Sequence, residues 1–431
     1  MKDKYPVRKL ECVGNICVEV PGSKSITNRA LLLAALSSRR CKLYGVLFSD
    51  DSRAFLDSLL KLGFQVEIQE KEKWVCIQGT GGKIPNPQAT LNVRSAGTAA
   101  RFLTVMLALA GGDYEMEASP QMCKRPMQPL MDILKEAGAE IIYHGEEGHF
   151  PFRLKTEGLS MGEVSIDTGI SSQFASALLM SGVLQKDGLT VKMSGGRTEG
   201  SYIKMTLAMM EQFGISVSKE KSECHVPHDD VFGLEKYDIE PDVSGACYFY
   251  AMAPLLKTDV IVKGVHGKSL QGDVKFLEVL KKMGCALVET EEGICLQGGQ
   301  LSQYAGVDVS MKDFSDQTMT LAAIAPFAAS PTLIRDIGHI RFQESDRISA
   351  IVTELRRMGI SCEEKPEADG IMICPGPVNS AEVETYEDHR MAMAFTLTGM
   401  RAGGITILNP GCCRKTFENY FDVIEGLYEK E

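Results

Sequence analysis

Five arginines stand where a cation is out of place. Arg29, in GSKSITNRALLLAAL, Arg101, in AGTAARFL, Arg347, in QESDRISAIV, and Arg390, in YEDHRMAMAF, fall within the first turns of expected helices; Arg125 directly precedes a proline that can open another. A helix N-terminus carries partial positive charge, so each placement is unfavourable by about a few tenths of a kcal/mol unless an anion sits between. The repetition predicts helix starts from both halves of the chain gathered around a strongly anionic ligand. Polar clusters at the same places fit that chemistry. Gly22, Ser23, Lys24, Ser25 and Asn28 surround Arg29, and Ser95, Gly97 and Thr98 precede Arg101. Free backbone N–H groups there cradle phosphate or carboxylate, and Gly97 lets an anion come close. Ser171, Ser172 and Gln173 open a third such helix, and Lys415 lies in a Pro-Gly turn.

Each feature also has a plainer explanation. Ser23 is an ordinary N-cap, the two serines at 171 and 172 make a double cap, and Lys415 on its own counts as a surface lysine. Asp316, Glu344 and Asp388 open helices of the C-terminal half, where acids usually serve as caps. The GSKS run is not a P-loop, because no glycine stands five residues before a Gly-Lys pair.

The elements that carry these clusters repeat. LLKLGFQVEI, ILKEAGAEII, MMEQFGISVS, VLKKMGCALV and ELRRMGISCE each read as a helix end, a glycine and a short alternating strand. Their glycines, Gly63, Gly138, Gly214, Gly284 and Gly359, are 75, 76, 70 and 75 residues apart, which divides a 431-residue chain into just under six units. Each glycine follows the last apolar helical position, where a left-handed residue stops the helix. Six such units exceed one core, so the expectation is two groups of three: residues 22–241, and residues 1–21 plus 242–431, with crossings near 21–22 and 241–242. The run ICVEV then packs with the C-terminal half.

Composition narrows the function classes. The net charge of -11 repels polyanions, which argues against nucleic acid as partner. The longest apolar stretch, Phe102 to Ala110 apart from Thr104, is too short to span a bilayer, and no apolar run follows the basic residues of the start, so a cytoplasmic chain is expected. Thirteen cysteines without a C-x-x-C pair read as reduced, mostly buried side chains, without disulfide or structural zinc. Cys224, His225 and His228 are spaced too loosely for a metal site and read as a polar loop. His389 has no G-x-S-x-G turn to serve and is read as structural.

Taken in order, PGSKS-x-x-NRALLLAAL, AGTA-x-R, KRP, SSQF, SDQTMT, ESDRI, DHRMAMAF and CxxKTF resemble the EPSP synthase family over essentially the full chain. The resemblance implies an inside-out α/β barrel in each of two domains, built from six βαβαββ repeats, three per domain, with two crossing strands that close over the ligands. It implies transfer of the enolpyruvyl group of phosphoenolpyruvate to the 5-hydroxyl of shikimate 3-phosphate, on the way to chorismate, by a monomer using neither metal nor organic cofactor. Lys24, Ser25, Arg29, Ser171, Ser172, Gln173, Tyr202, Asp316, His339 and Gln343 would hold shikimate 3-phosphate. Lys24, Gly97, Arg125, Gln173, Arg347, Arg390 and Lys415 would hold phosphoenolpyruvate. Asp316, Glu344 and Lys24 would be catalytic, Asp316 as base for the hydroxyl and Glu344 for the proton at the methylene carbon.

Three positions depart from the family's commoner pattern: Gln343 stands for a lysine, His339 for an asparagine and Glu199 for a serine. Fewer positive contacts to the shikimate phosphate follow. Phe102 replaces a frequent proline beyond Arg101. Cys123, near Arg125, is reminiscent of the sister family that uses UDP-N-acetylglucosamine, though there the cysteine lies further upstream; the GSKS-x-x-NR and DHRMA motifs favour shikimate.

Overall fold

The computed structural model describes residues 3–10 and 14–429. The chain divides into two compact units, residues 22–239 and residues 1–21 with 240–431. The folds of both follow from one local pattern.

In the 22–239 unit there are three four-stranded sheets. The clearest copy begins with the strand Gln88–Asn92, crosses by the helix Gly97–Ala110 to a parallel strand Gly112–Glu117, and continues by the helix Gln128–Glu136. It ends in an antiparallel pair, Glu140–Tyr143 with Phe152–Thr156. Glu163–Asp167 and Leu189–Ser194 repeat that parallel crossover around the helix Ser172–Ser181. The third sheet obtains its first strand from the far end of the unit: Lys236–Asp238 lies parallel to Arg40–Tyr44, next to the helix Lys24–Leu36.

The second unit repeats the scheme with one four-stranded sheet around Asp308–Ser310 and Thr332–Arg335. Its other two sheets recruit the N-terminal segment. Ile16–Val18 pairs in parallel with Asp259–Lys263, and Lys4–Pro6 runs antiparallel to Ile405–Leu408. Among the described residues the last copy has three strands, one of them Lys4–Pro6 from the N-terminal segment.

In each unit the crossover helices are inside and the sheets outside. Eleven of the thirteen residues of Lys24–Leu36 and thirteen of the fourteen of Gly97–Ala110 are buried, as are all seven of Thr318–Ile324 and twelve of the fourteen of His389–Ala402. Helices apolar on every side have no solvent face to offer and pack together at the centre. Outer strands such as Glu163–Asp167 alternate, with one face on the helices and one in water, whereas the central strands Trp74–Gln78 and Gly293–Gln297 are buried along most of their length. Every inner helix leads into a strand that is half of a parallel pair, so their N-termini within a unit share one end, and that end is where their polar residues collect.

The five repeat glycines all have positive φ, between 81° and 119°. Each closes a helix such as Asp50–Lys61 and releases the chain toward the hairpin, a conformation that would strain any residue with a Cβ. Among the described residues no helix is long and apolar enough to cross a membrane.

Candidate active site

Within the 22–239 unit Arg29 reaches Ser25 and Tyr202, Gly97 lies against Arg125, and the 171–173 cluster opens the helix Ser172–Ser181. Ser23 caps the first helix through Ile26 N, and Asn28 Nδ2 donates to Thr98 Oγ1 at 2.6 Å, tying the first helix start to the second. Arg29 is fully buried. Its Nε donates to Thr206 Oγ1 at 2.8 Å, Nη1 to the Ser25 carbonyl at 3.0 Å, and Nη2 to Ser176 Oγ at 3.2 Å and the Tyr202 carbonyl at 3.5 Å. All of these are neutral oxygens. The rings of Phe102 and Tyr202 lie 5.3 and 5.8 Å from its guanidinium carbon, so Phe102, the unusual residue of its helix, packs against this cation. Burial without a counter-charge lowers the Arg29 pKa to about 10.

Arg125 lies in the turn between the short helix Pro120–Cys123 and Gln128–Glu136. Its following proline does not open a helix; Pro129, at the second helical position, does so instead. The Arg125 Nε is buried without a hydrogen-bond partner and Nη1 has only a 4.0 Å contact with Met122 Sδ. A Cβ on Gly97 would come within 2.7 Å of Arg125 Nη1 and 3.0 Å of Arg101 Nη1. Glycine is therefore what allows two guanidiniums to approach one helix N-terminus. Ser171 caps Gln173 N at 3.2 Å, Ser172 is buried, and Gln173 Oε1 is a second buried polar atom without a partner. Buried polar groups are normally satisfied, so these orphans mark where a ligand's polar atoms belong. Lys24 reaches a different partner, Asp51, at 3.4 Å. Glu199 is turned away into ion pairs with Lys219 at 2.6 Å and Lys204 at 3.8 Å.

The second unit has the opposite balance, with acids and bases interlocked. Arg347, 1% exposed, donates Nε to Asp388 Oδ2 at 2.8 Å, Nη1 to Asp316 Oδ1 at 3.0 Å and Nη2 to Glu344 Oε2 at 2.8 Å. Arg390 Nη2 holds the other Asp316 oxygen at 2.7 Å, and Lys415 Nζ lies 3.3 Å from Glu344 Oε1. Burial alone would pull the Arg347 pKa down, but Asp388, Glu344 and Asp316 together outweigh it and hold the pKa above its ordinary value. Gln343 Oε1 accepts from Arg347 Nη1, and His339 Nε2 bonds Ser315 Oγ at 2.7 Å, directly before Asp316. Both unusual residues therefore touch the neighbours of the carboxylates.

Several local expectations needed correction. Asp316 sits in a 3-10 turn, Ser315–Gln317, ahead of the helix, and Glu344 precedes the N-cap Asp346 of the helix Arg347–Arg357. Neither acid caps a helix; both instead meet cations, Asp316 the two arginines and Glu344 Arg347 and Lys415. Lys415 ends the 3-10 turn Pro410–Lys415 and is only 7% exposed, which removes the surface-lysine alternative. The segment around Cys224 is the strand Glu223–Val226, with Cys224 inward; His225 bonds Thr190 and His228 the Val183 carbonyl.

The sequence shows Asp388 only as a helix-opening acid and gives no sign of Asp273. Asp388, fully buried, caps the Arg390 amide at 2.9 Å, accepts from Ser345 Oγ at 3.1 Å and anchors Arg347, a role larger than capping. Asp273 accepts from Ser244 Oγ in the same region, and nothing in its QGD context distinguished it. Burial, then the Asp316 charge, push its pKa up to about 6. A raised carboxyl pKa favours folding below the ordinary range near 3.8, and that contribution is lost as pH rises through about 6. Asp273→Asn is therefore expected to gain on the order of 2 kcal/mol over the parent at pH 8 and to match it near pH 4, read by urea unfolding at both values. An equal difference at the two pH values would rule this out.

Comparison with known proteins decides the family. Residues 13–424 match the model of EPSP synthase, described as 3-phosphoshikimate 1-carboxyvinyltransferase. A protein of that name from Trichormus variabilis is 42% identical over 405 residues, covering 94% of each chain; one from Marinomonas sp. is 39% identical over 417 residues, 95% of this chain and 96% of the other. The chain belongs to the EPSP synthase family. A solved EPSP synthase from Acinetobacter baumannii superposes with a TM-score of 0.81 at 25% identity over 98% of both chains. The six outer sheets around inner helices are thus the family's architecture, and the chain is a transferase of this family.

Proposed function

We propose that the chain transfers the enolpyruvyl group of phosphoenolpyruvate to the 5-hydroxyl of shikimate 3-phosphate, releasing phosphate. The observation that carries this reading, beside family membership, is the pair of carboxylates Asp316 and Glu344, each held by cations that also suit a phosphate or carboxylate ligand. Arginine forks match both anionic groups of phosphoenolpyruvate, and we assign Arg125, Arg347, Arg390 and Lys415, with Gly97, Gln173 and Lys24, to holding them. Lys24, Ser25, Arg29, Ser171, Ser172, Gln173, Tyr202, Asp316, His339 and Gln343 are assigned to shikimate 3-phosphate.

The residue types then divide the chemistry. A proton delivered to the methylene carbon, with Glu344 as its carrier, leaves C2 electron-poor. The 5-hydroxyl oxygen bonds to C2 as Asp316 takes the hydroxyl proton. Loss of a methyl proton from the adduct re-forms the double bond as the C2–O bond to phosphate breaks, and fixed guanidiniums receive the developing charge. On this reading the protein is a cytoplasmic monomer.

The deciding assay is phosphate release from phosphoenolpyruvate with shikimate 3-phosphate and, separately, with UDP-N-acetylglucosamine. Release with the first alone is expected. Release only with the sugar nucleotide moves the chain to the sister activity, and silence with both overturns the reading. Gly97→Ala offers a finer check. Its Cβ would displace the Arg125 fork, so the KM for phosphoenolpyruvate should rise by about tenfold or more while that for shikimate 3-phosphate changes far less. Equal changes in both would separate Gly97 from the phosphoenolpyruvate site.

A further inference from the structure

The helix Arg347–Arg357 grips the segment leading into the helix His389–Ala402 at two points. Arg347, at its start, holds Asp388. Seven residues on, and so on the same helix face, Glu354 is fully buried and accepts from Tyr386 Oη at 2.7 Å. The second Glu354 oxygen lies 2.9 Å from Arg357 Nε and 3.3 Å from the Glu384 amide. The Glu384 carboxylate turns back to accept from the amides of Thr385 and Tyr386 at 3.1 and 3.3 Å.

Between the two grips the backbone is forced. Tyr386 and Glu387 have φ of 54° and 57°, two consecutive residues with side chains in the left-handed region. Such conformations persist only where surrounding structure over-determines them. The segment ends on Asp388, whose carboxylate caps the Arg390 amide and holds Arg347. Neither Tyr386 nor Glu354 has a use in the chemistry described above. Burial and the Glu354 hydrogen bond push the Tyr386 phenol up to about 12, so it remains a donor throughout the working range.

We propose that Tyr386 and Glu354 are positioning residues: their hydrogen bond holds the strained 386–387 turn, and through it fixes Asp388 and the Arg347–Arg390 pair in the geometry that receives the phosphoenolpyruvate anion. The assignment of that anion rests on the function proposed above; the mechanical link does not.

The test is Tyr386→Phe, which keeps the ring and removes only the donor. With the full-length protein, the KM for phosphoenolpyruvate should rise about tenfold, with the KM for shikimate 3-phosphate little changed, because a hydrogen bond to a carboxylate is lost without opening a cavity. Amide hydrogen exchange at 388–391 should quicken, with protection elsewhere in the chain retained. The double variant Tyr386→Phe/Glu387→Gly should recover most of the lost affinity, because glycine adopts the left-handed turn without a clamp. A purely structural role would lower thermal stability with no KM split and no rescue. Unchanged KM and unchanged exchange in Tyr386→Phe would overturn the proposal. Should the parent protein release no phosphate, the function falls, and the exchange arm still decides the clamp: faster exchange upholds it and parental exchange refutes it.

Discussion

Asp316→Asn is expected to leave a folded protein that still binds shikimate 3-phosphate and turns over about 10²- to 10⁴-fold more slowly, the contribution of a positioned base. The geometry argues for a large effect. Both Asp316 oxygens are held, one by Arg347 at 3.0 Å and the other by Arg390 at 2.7 Å, so its orientation is set before any ligand arrives. An amide keeps the size but presents an NH₂ to one of those guanidiniums and has no lone pair basic enough to take a proton. Single-turnover phosphate release, with shikimate 3-phosphate binding measured by calorimetry, separates the two quantities. Turnover within about threefold of the parent, far below what a general base supplies, would remove Asp316 from the mechanism.

Arg347→Met should be the most damaging substitution for the fold of its unit. The guanidinium is 1% exposed and is shared by Asp316, Glu344 and Asp388, the last fully buried. Methionine fills much of the volume yet leaves three carboxylates around an apolar chain, with the cation they share removed. Removing one partner of a buried ion pair typically costs about 3–5 kcal/mol, and the expected loss lies at the upper end of that range. Part of it should return at low pH as the carboxylates protonate, so urea unfolding at pH 5 and pH 8 tests the cause as well as the size. A loss below about 1 kcal/mol, the range of exposed pairs, would mean that the cluster relaxes into water.

Much of this was legible in the chain. The glycines at 63, 138, 214, 284 and 359 announce the repeat because each takes a positive φ that strains a residue with a Cβ. Arginines at helix starts were readable because they oppose the helix dipole, and a cost repeated that often needs a common reason. What stayed hidden depends on contacts distant in sequence. Asp388 looks like any N-cap until Arg347, 41 residues earlier, is brought against it. Asp273 gains its unusual proton affinity from burial beside Asp316, which no local pattern records. Cys224 was misread because its flanking polar residues occupy the solvent face of a strand, and three or four residues are too few to reveal alternation.

The strand exchange at the chain ends has a consequence for synthesis on the ribosome. Every strand that the 22–239 unit requires lies within its own span, since Lys236–Asp238 supplies the missing partner of Arg40–Tyr44. That unit can complete itself while the remaining half is still being translated. The other unit must hold Ile16–Val18 unpaired until Asp259–Lys263 emerges, and Lys4–Pro6 until Ile405–Leu408 does, some four hundred residues later. A nascent chain at that stage carries a finished body preceded by a short, unsatisfied β edge, the kind of surface that invites pairing with strangers. The N-terminal strands are only three residues long, which keeps that waiting edge small.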